Sequence, residues 1–110
     1  MEIKELSSSL SVSGQISVSD LTGIAGAGFK SIICNRPDGE GVDQPGEQEI
    51  AHAAAELGLT FSYLPVESGK VTDEQGAHFG ALINDLPKPI LAYCRTGMRC
   101  TTMWALSQAK

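Results

Sequence analysis

No apolar run in the sequence approaches the roughly 18 residues of a membrane-spanning helix, and no basic segment leads into an apolar stretch near its start. Neither a membrane span nor a signal peptide is therefore expected. Cysteine is scarce: three residues, an odd number without scaffold spacing, fit a reducing, cytoplasmic compartment better than a disulfide framework. His52 and His78 each lie alone in helical stretches, with no second ligand at metal spacing, so no metal or other cofactor is expected. Positive charge is also short. A net charge of −5 argues against a non-specific nucleic-acid binder. No repeat, low-complexity tract or linker divides the 110 residues, and one domain is expected.

The shortage of arginine is the informative one. The three arginines, Arg36, Arg95 and Arg99, each sit just after a predicted strand. An acidic chain that reserves its guanidinium groups for one edge is suited to binding a small anion there. For Arg36 the alternative is an ion pair with Asp38, Glu40 or Asp43.

What the chain does contain is an alternation of strands and helices. Residues 1–9 read as an edge strand or extended lead, and Leu10-Ser11-Val12-Ser13 alternates with period two before Gly14. Ser19 is placed to cap a short helix that opens at Asp20-Leu21 and ends at Gly26 and Gly28. Residues 30–34 form an apolar strand ending in Cys34, and residues 35–45 a loop rich in Gly, Pro and Asp. The clearest helix runs over residues 47–57, with Ile50, Ala53, Ala54 and Leu57 on one face and Gly58 closing it. Residues 60–66 read as a strand. Thr72 and Gln75 then have capping-box spacing before a helix that buries Phe79, Leu82, Ile83 and Leu86. Pro87 and Pro89 end that helix and launch Ile90-Leu91-Ala92-Tyr93. This order predicts an α/β fold, a mostly parallel central sheet flanked by helices, with ligands beyond the carboxyl ends of the strands.

At that edge stands Cys94-Arg95-Thr96-Gly97-Met98-Arg99, followed by a helix opening at Cys100 that carries Met103 and Trp104 toward the core. A cysteine between a buried strand and a helix is stabilised as thiolate by the helix dipole and by a nest of backbone N–H groups. The nest formed by Arg95, Thr96, Gly97, Met98 and Cys100 can hold an anion against the sulfur. Arg99 can supply a fixed fork, and Gly97 allows a tight turn. Arg36 is a further anion-binding candidate. Cys34 and Cys100 are candidate resolving thiols, packing being the alternative for both. The last helix has no C-cap signal, so it is expected either to fray over 106–110 or to be completed by a following segment, the chain being truncated at or shortly after it.

The motif Cys-Arg-Thr-Gly-Met-Arg resembles the Cys-Arg-x-Gly-x-Arg/Thr loop of rhodaneses. The chain as a whole resembles the phosphatase-like domain family of bacterial beta-lactamase hydrolase-like proteins. The matching segments are Ile32 to Glu40, Tyr63-Leu64-Pro65-Val66, and Tyr93 to Cys100 with Trp104. The resemblance implies a protein-tyrosine-phosphatase-like fold. It departs from the phosphatase signature twice: Tyr93 replaces the His before the nucleophile, and Arg99 arrives one residue early. In many family members it also implies a fused or co-encoded metallo-beta-lactamase-fold persulfide dioxygenase.

Three chemistries follow. Sulfane-sulfur transfer through a persulfide on Cys94, with thiosulfate or glutathione persulfide as donor, is favoured on two grounds. A six-residue ring of N–H donors, one residue shorter than in phosphatases, suits a terminal sulfur where a phosphoryl group asks for a wider cradle, and sulfite leaves thiosulfate without a general acid. Hydrolysis of phosphate esters through a Cys94 phosphocysteine is the alternative. The resemblance places its general acid in the loop after the strand at 60–66, where Glu67 is the candidate and a solvated carboxylate the bland reading. The third is an anion-binding module without turnover.

Overall fold

The computed structural model describes residues 2–108. Its strands are β1 (Ile3–Glu5), β2 (Leu10–Ser13), β3 (Ser31–Cys34), β4 (Thr60–Tyr63) and β5 (Ile90–Tyr93). Its helices are α1 (Leu21–Gly26), α2 (Glu47–Glu56), α3 (Asp73–Asp85) and α4 (Met98–Gln108). They form one sheet in the order β1-β2-β5-β3-β4, parallel except for the antiparallel β1 edge. The α/β architecture expected from the alternation is present.

Period-two alternation sorts the side chains between two faces. Ile33, Ile90, Ala92 and Cys94 join Leu10, Val12 and Phe79, with Cys100 and Met103 of α4, in one apolar cluster. Ile32, Cys34, Leu91 and Tyr93 join Leu21 and Ile24 of α1, and Ile50 and Ala54 of α2, in the other. Helices α3 and α4 thus cover one face, and α1 and α2 the opposite one. The segments after β2 and β3 leave toward the second cluster, whereas α4 leaves β5 toward the first. Because β5 lies between β2 and β3, this divergence opens a crevice at its carboxyl end, the topological switch point at which open α/β sheets bind ligands.

Three local expectations need correcting. The entry to α1 is set at Ser17 rather than Ser19: a 3₁₀ turn over Val18–Asp20 precedes the helix, and the Ser17 N–H donates to the Asp20 carboxylate at 2.9 Å. Helix α4 opens at Met98, not Cys100, so Arg99 and Cys100 lie in its first turn. In α3 Phe79 is fully buried, but Leu82, Ile83 and Leu86 are half-buried against the same cluster. The capping box of α3 is as expected: Thr72 Oγ1 accepts from Gln75 N–H at 3.2 Å, and Gln75 Oε1 accepts from Thr72 N–H at 2.9 Å. Helix α4 continues to Gln108, so part of the expected fraying segment is helical, while residues 109–110 lie outside the described residues.

The seam between α3 and α4 depends on a missing side chain. A Cβ built on Gly76 would lie 2.6 Å from Leu106 Cβ, and one on Gly80 would lie 3.1 Å from Ser107 Cβ. Small residues one helical turn apart let the two helices approach closely, and this contact anchors the helix that carries Arg99 and Cys100. We expect Gly76→Ala to destabilise the protein by about 1–3 kcal/mol, the usual cost of overpacking. Adding Leu106→Gly, which removes the Cβ that the new methyl would meet, should leave the double variant less destabilised than the sum of the two single changes. Urea denaturation of the two single variants and the double variant measures both; additive effects would show that the helices do not meet at this point.

Candidate functional site

Strand β5 delivers Cys94 to the crevice because Ile90, Leu91, Ala92 and Tyr93 are all buried, which fixes the register of the strand and hence where it ends. The loop beyond it is pinned against the end of β2. Gln15 N–H donates to the Arg95 carbonyl at 3.3 Å, and Cys94 N–H donates to the Ser13 carbonyl at 3.4 Å. Gly97 has φ +93°, and a Cβ there would stand 3.3 Å from the Ser13 carbonyl oxygen, so this turn requires glycine on both conformational and steric grounds.

The loop turns its N–H groups onto the sulfur. Gly97 N–H donates to Cys94 Sγ at 3.0 Å, and the backbone N–H groups of Cys100, Thr96 and Arg99 favour its charged form. The nearby Cys100 thiol favours the charged form most of all. Burial opposes ionisation, but the donors prevail and hold the Cys94 thiol down at about 5. The other two thiols go the opposite way. Burial pushes Cys100 well above the ordinary thiol range, reinforced by the nearby Cys94, and burial also raises Cys34. Cys94 is thus the one thiolate at neutral pH among three cysteines that are all buried.

Arg99 is held at the rim by a carboxylate that the sequence reading treated only as a possible partner of Arg36. Glu40 receives Arg99 Nη1 at 2.8 Å and Nη2 at 2.7 Å, and Arg36 Nε at 3.0 Å. Arg99 Nη1 also donates to the Val66 carbonyl at 3.0 Å. These bonds use three of the five guanidinium N–H groups, leaving Nε–H and the second Nη2–H, adjacent donors that form a fork for an anion. The pairing with Arg99, and after it with Arg36, lowers the Glu40 carboxyl below its usual range. The loop 35–45, without periodicity in the sequence, is therefore ordered by Glu40 at its centre.

The remaining candidates fall into place around this centre. Arg36 is buried and spends its Nη1 on Gln15 Oε1 at 3.0 Å and its Nε on Glu40, so the ion-pair alternative describes its position. Arg95, Thr96 and Met98 contribute backbone to the loop and expose their side chains. Glu67 follows Val66 and so borders Arg99, but its carboxylate is exposed and paired with Lys70 at 3.4 Å. Cys34 donates to the Arg36 carbonyl at 3.3 Å and packs with Tyr93, on the face of the sheet opposite Cys94 and Cys100. It is not poised as a resolving thiol for Cys94. His52 and His78 are exposed on α2 and α3. Reasoning from sequence missed Glu40 as the partner of Arg99 and Gln15 as a strut. The only available signal was Glu40's place in a loop already holding Arg36.

A mostly parallel α/β sheet with a thiolate loop opening into a helix, and an arginine in that helix's first turn, places the chain among proteins with a phosphatase-like fold. Comparison with known proteins makes this specific: residues 2–110 match the model of the phosphatase-like domain of beta-lactamase hydrolase-like proteins, and the chain belongs to that family. A beta-lactamase hydrolase-like protein of Agrobacterium fabrum is 31% identical over 109 residues, covering 99% of this chain and 25% of that protein. The chain thus spans about a quarter of the length of the curated relatives it matches. Among solved structures, a candidate phosphatase from Neisseria meningitidis superposes with a TM-score of 0.90 at 39% identity, over 94% of this chain and 74% of that one. The catalytic core of the PP-IP phosphatase Siw14 from Saccharomyces cerevisiae superposes with a TM-score of 0.69 at 13% identity, over 86% of this chain and 56% of that one, a likeness of fold.

Two outcomes test the electrostatics. The rate of Cys94 alkylation by limiting iodoacetamide should rise with pH through an inflection near 5 and be flat by pH 7, since the folded-state thiol titrates at about 5. Peptide mapping should find Cys34 and Cys100 unlabelled over that range; equal labelling of all three would overturn the assignment of the thiolate. Glu40→Gln should lose anion affinity, because the Arg99 fork loses the carboxylate that orients it. The lowered Glu40 carboxyl stabilises the fold above its ordinary range, a contribution lost as pH falls through the folded-state value. Acid unfolding of Glu40→Gln should therefore depend less on pH below about 4.5 than that of the wild type.

Proposed function

We propose that this domain hydrolyses phosphate monoesters through a phosphocysteine on Cys94. One observation carries the reading: a buried thiolate lies within a ring of backbone donors beside an arginine that keeps an unused two-donor fork, on a scaffold shared with phosphatases. Cys94 Sγ attacks phosphorus, the S–P bond forms and the ester P–O bond breaks. The departing oxygen takes up a proton. Water then attacks phosphorus, the S–P bond breaks, and phosphate leaves the thiolate behind. The Arg99 fork binds two non-bridging oxygens, and donors of this kind are each worth about 10²–10³ in rate. The Cys100 thiol, which favours the charged form of the sulfur, stabilises it as the leaving group of the second step.

Sulfane-sulfur transfer stays as a second reading because of one feature. Glu67, the candidate acid, is turned to Lys70 and solvent, and attack on thiosulfate needs no acid. The two readings divide on leaving groups. If Glu67 donates the proton, Glu67→Gln should slow alkyl phosphates by an order of magnitude or more and aryl phosphates little, consistent with the usual 10²–10⁴ span of general-acid catalysis.

The deciding experiment compares wild type and Cys94→Ser on p-nitrophenyl phosphate, with acid-quenched intact mass. The expected result is hydrolysis abolished by Cys94→Ser, with a phosphoryl adduct trapped on the wild type. A protein that leaves aryl phosphate untouched and instead gains one sulfur atom from thiosulfate would replace this reading with the second.

A further inference from the structure

The proposed reaction makes no use of Asn35, a polar residue fully buried at the carboxyl end of β3. The register runs on by one residue there: past the Cys34–Tyr93 pair, Asn35 stands beside Cys94. Its N–H donates to the Tyr93 carbonyl at 2.8 Å, and its carbonyl accepts from the Val66 N–H at 3.0 Å. Val66 in turn presents its own carbonyl to Arg99 Nη1 at 3.0 Å. A path of hydrogen bonds thus joins the strand that carries the thiolate to the Arg99 guanidinium, and Asn35 is its middle link.

The side chain adds a second hold on the same segment. Period-two alternation turns it to the face of Ile33 and Cys94, where Nδ2 donates to the Leu64 carbonyl at 2.9 Å. That carbonyl lies in the peptide plane that leads into Pro65, whose φ is locked by its ring, so fixing it also fixes the approach to Val66. Oδ1 is buried as well and has no partner among the described residues. A buried orphan acceptor is costly, and an apolar side chain of similar size would avoid it. Packing alone does not account for an amide at this position. A donor to Leu64 does.

We propose that Asn35 is a positioning residue for anion binding: by clamping residues 64–66 it sets where the Val66 carbonyl meets Arg99, and hence where the fork stands relative to Cys94. Glu40 holds the guanidinium from a loop without regular structure, whereas Val66, tied to β3 through Asn35, references it to the sheet. Releasing the clamp leaves every charge of the site in place and misplaces the fork. The inference deepens the phosphatase reading and rests on its use of the Arg99 fork, not on turnover.

The test is a double-mutant cycle on the full chain, read as inorganic phosphate affinity by titration calorimetry, with near-UV circular dichroism to show that each variant is folded. Asn35→Leu removes the donor and the orphan acceptor together and keeps the bulk. It should weaken phosphate binding about ten-fold, the scale of one lost hydrogen bond to a charged group. In the Arg99→Lys background, where no fork remains to be placed, the same change should weaken binding less than about two-fold. A loss of equal size in both backgrounds would show a general structural role and overturn the proposal, as would phosphate affinity unchanged by Asn35→Leu. Asn35→Ala, which adds no bulk, repeats the cycle should leucine not fit. A chain that folds with neither would assign Asn35 to the core alone and overturn the proposal too. Thiosulfate is the second probe. A wild type that binds thiosulfate but not phosphate replaces the phosphatase reading and carries the same cycle over to that anion, whereas one that binds neither removes both.

Discussion

A charged sulfur held out of water is the constraint from which the rest of this structure follows. Burying an unpaired charge is prohibitive unless hydrogen bonds replace its solvation. Here burial pulls Cys94 toward the neutral thiol while one thiol and several backbone N–H groups pull the other way and win. None of those donors is a formal cation. The positive potential comes from peptide groups fixed by the turn at Gly97 and the first turn of α4. That is why the loop must be pinned to the end of β2, why Gly97 faces the Ser13 carbonyl, and why α4 must be seated firmly on α3 through Gly76.

The cationic part of the site is built separately, and Glu40 organises it. A single carboxylate joins two arginines from distant parts of the chain, and Gln15 extends the chain of contacts back to the end of β2. The partly buried Glu40 carboxylate is balanced by two cations, an arrangement in which breaking one pair costs more than making it gained. The orientation matters more than the energy. By occupying the outer edge of the Arg99 guanidinium, with the Val66 carbonyl on the adjoining hydrogen, Glu40 leaves the remaining edge as the only fork available to a ligand.

The elements and their order were legible in the sequence, because each rests on local signals: the Thr72–Gln75 box, the Gly58 stop, and the period-two run at β2. So was the junction at Cys94, since a strand ending one residue before a cysteine and a helix beginning soon after leave few other places for a nest. The family resemblance carried the fold beyond class to the phosphatase-like type. The Arg99–Glu40 pair was not legible: 59 positions separate the partners, and nothing in a Gly- and Pro-rich loop says which acid turns inward. Nor was the separation of Cys34 from Cys94. Adjacent strands suggested neighbouring thiols, but Cys34 pairs in register with Tyr93 rather than Cys94, and one residue of offset sends a side chain to the other face.

The weight given to loop length fails for a related reason. Counting six residues from Cys94 to Arg99 against the phosphatases' seven treats every residue as part of the cradle, so that losing one removes a donor. In the structure α4 has already begun at Met98, and the donors on the sulfur come from Thr96 and Gly97 in the turn and from Arg99 and Cys100 in the helix. The cradle is therefore half loop and half helix N-terminus, and the helix supplies free N–H groups whatever the length of the turn before it. Residue count fixes where the arginine stands on the helix, not how many donors surround the sulfur. Without that deficit, the argument that a short loop must be a sulfur-transfer loop loses its physical basis, and the scaffold shared with phosphatases becomes the stronger guide to the chemistry.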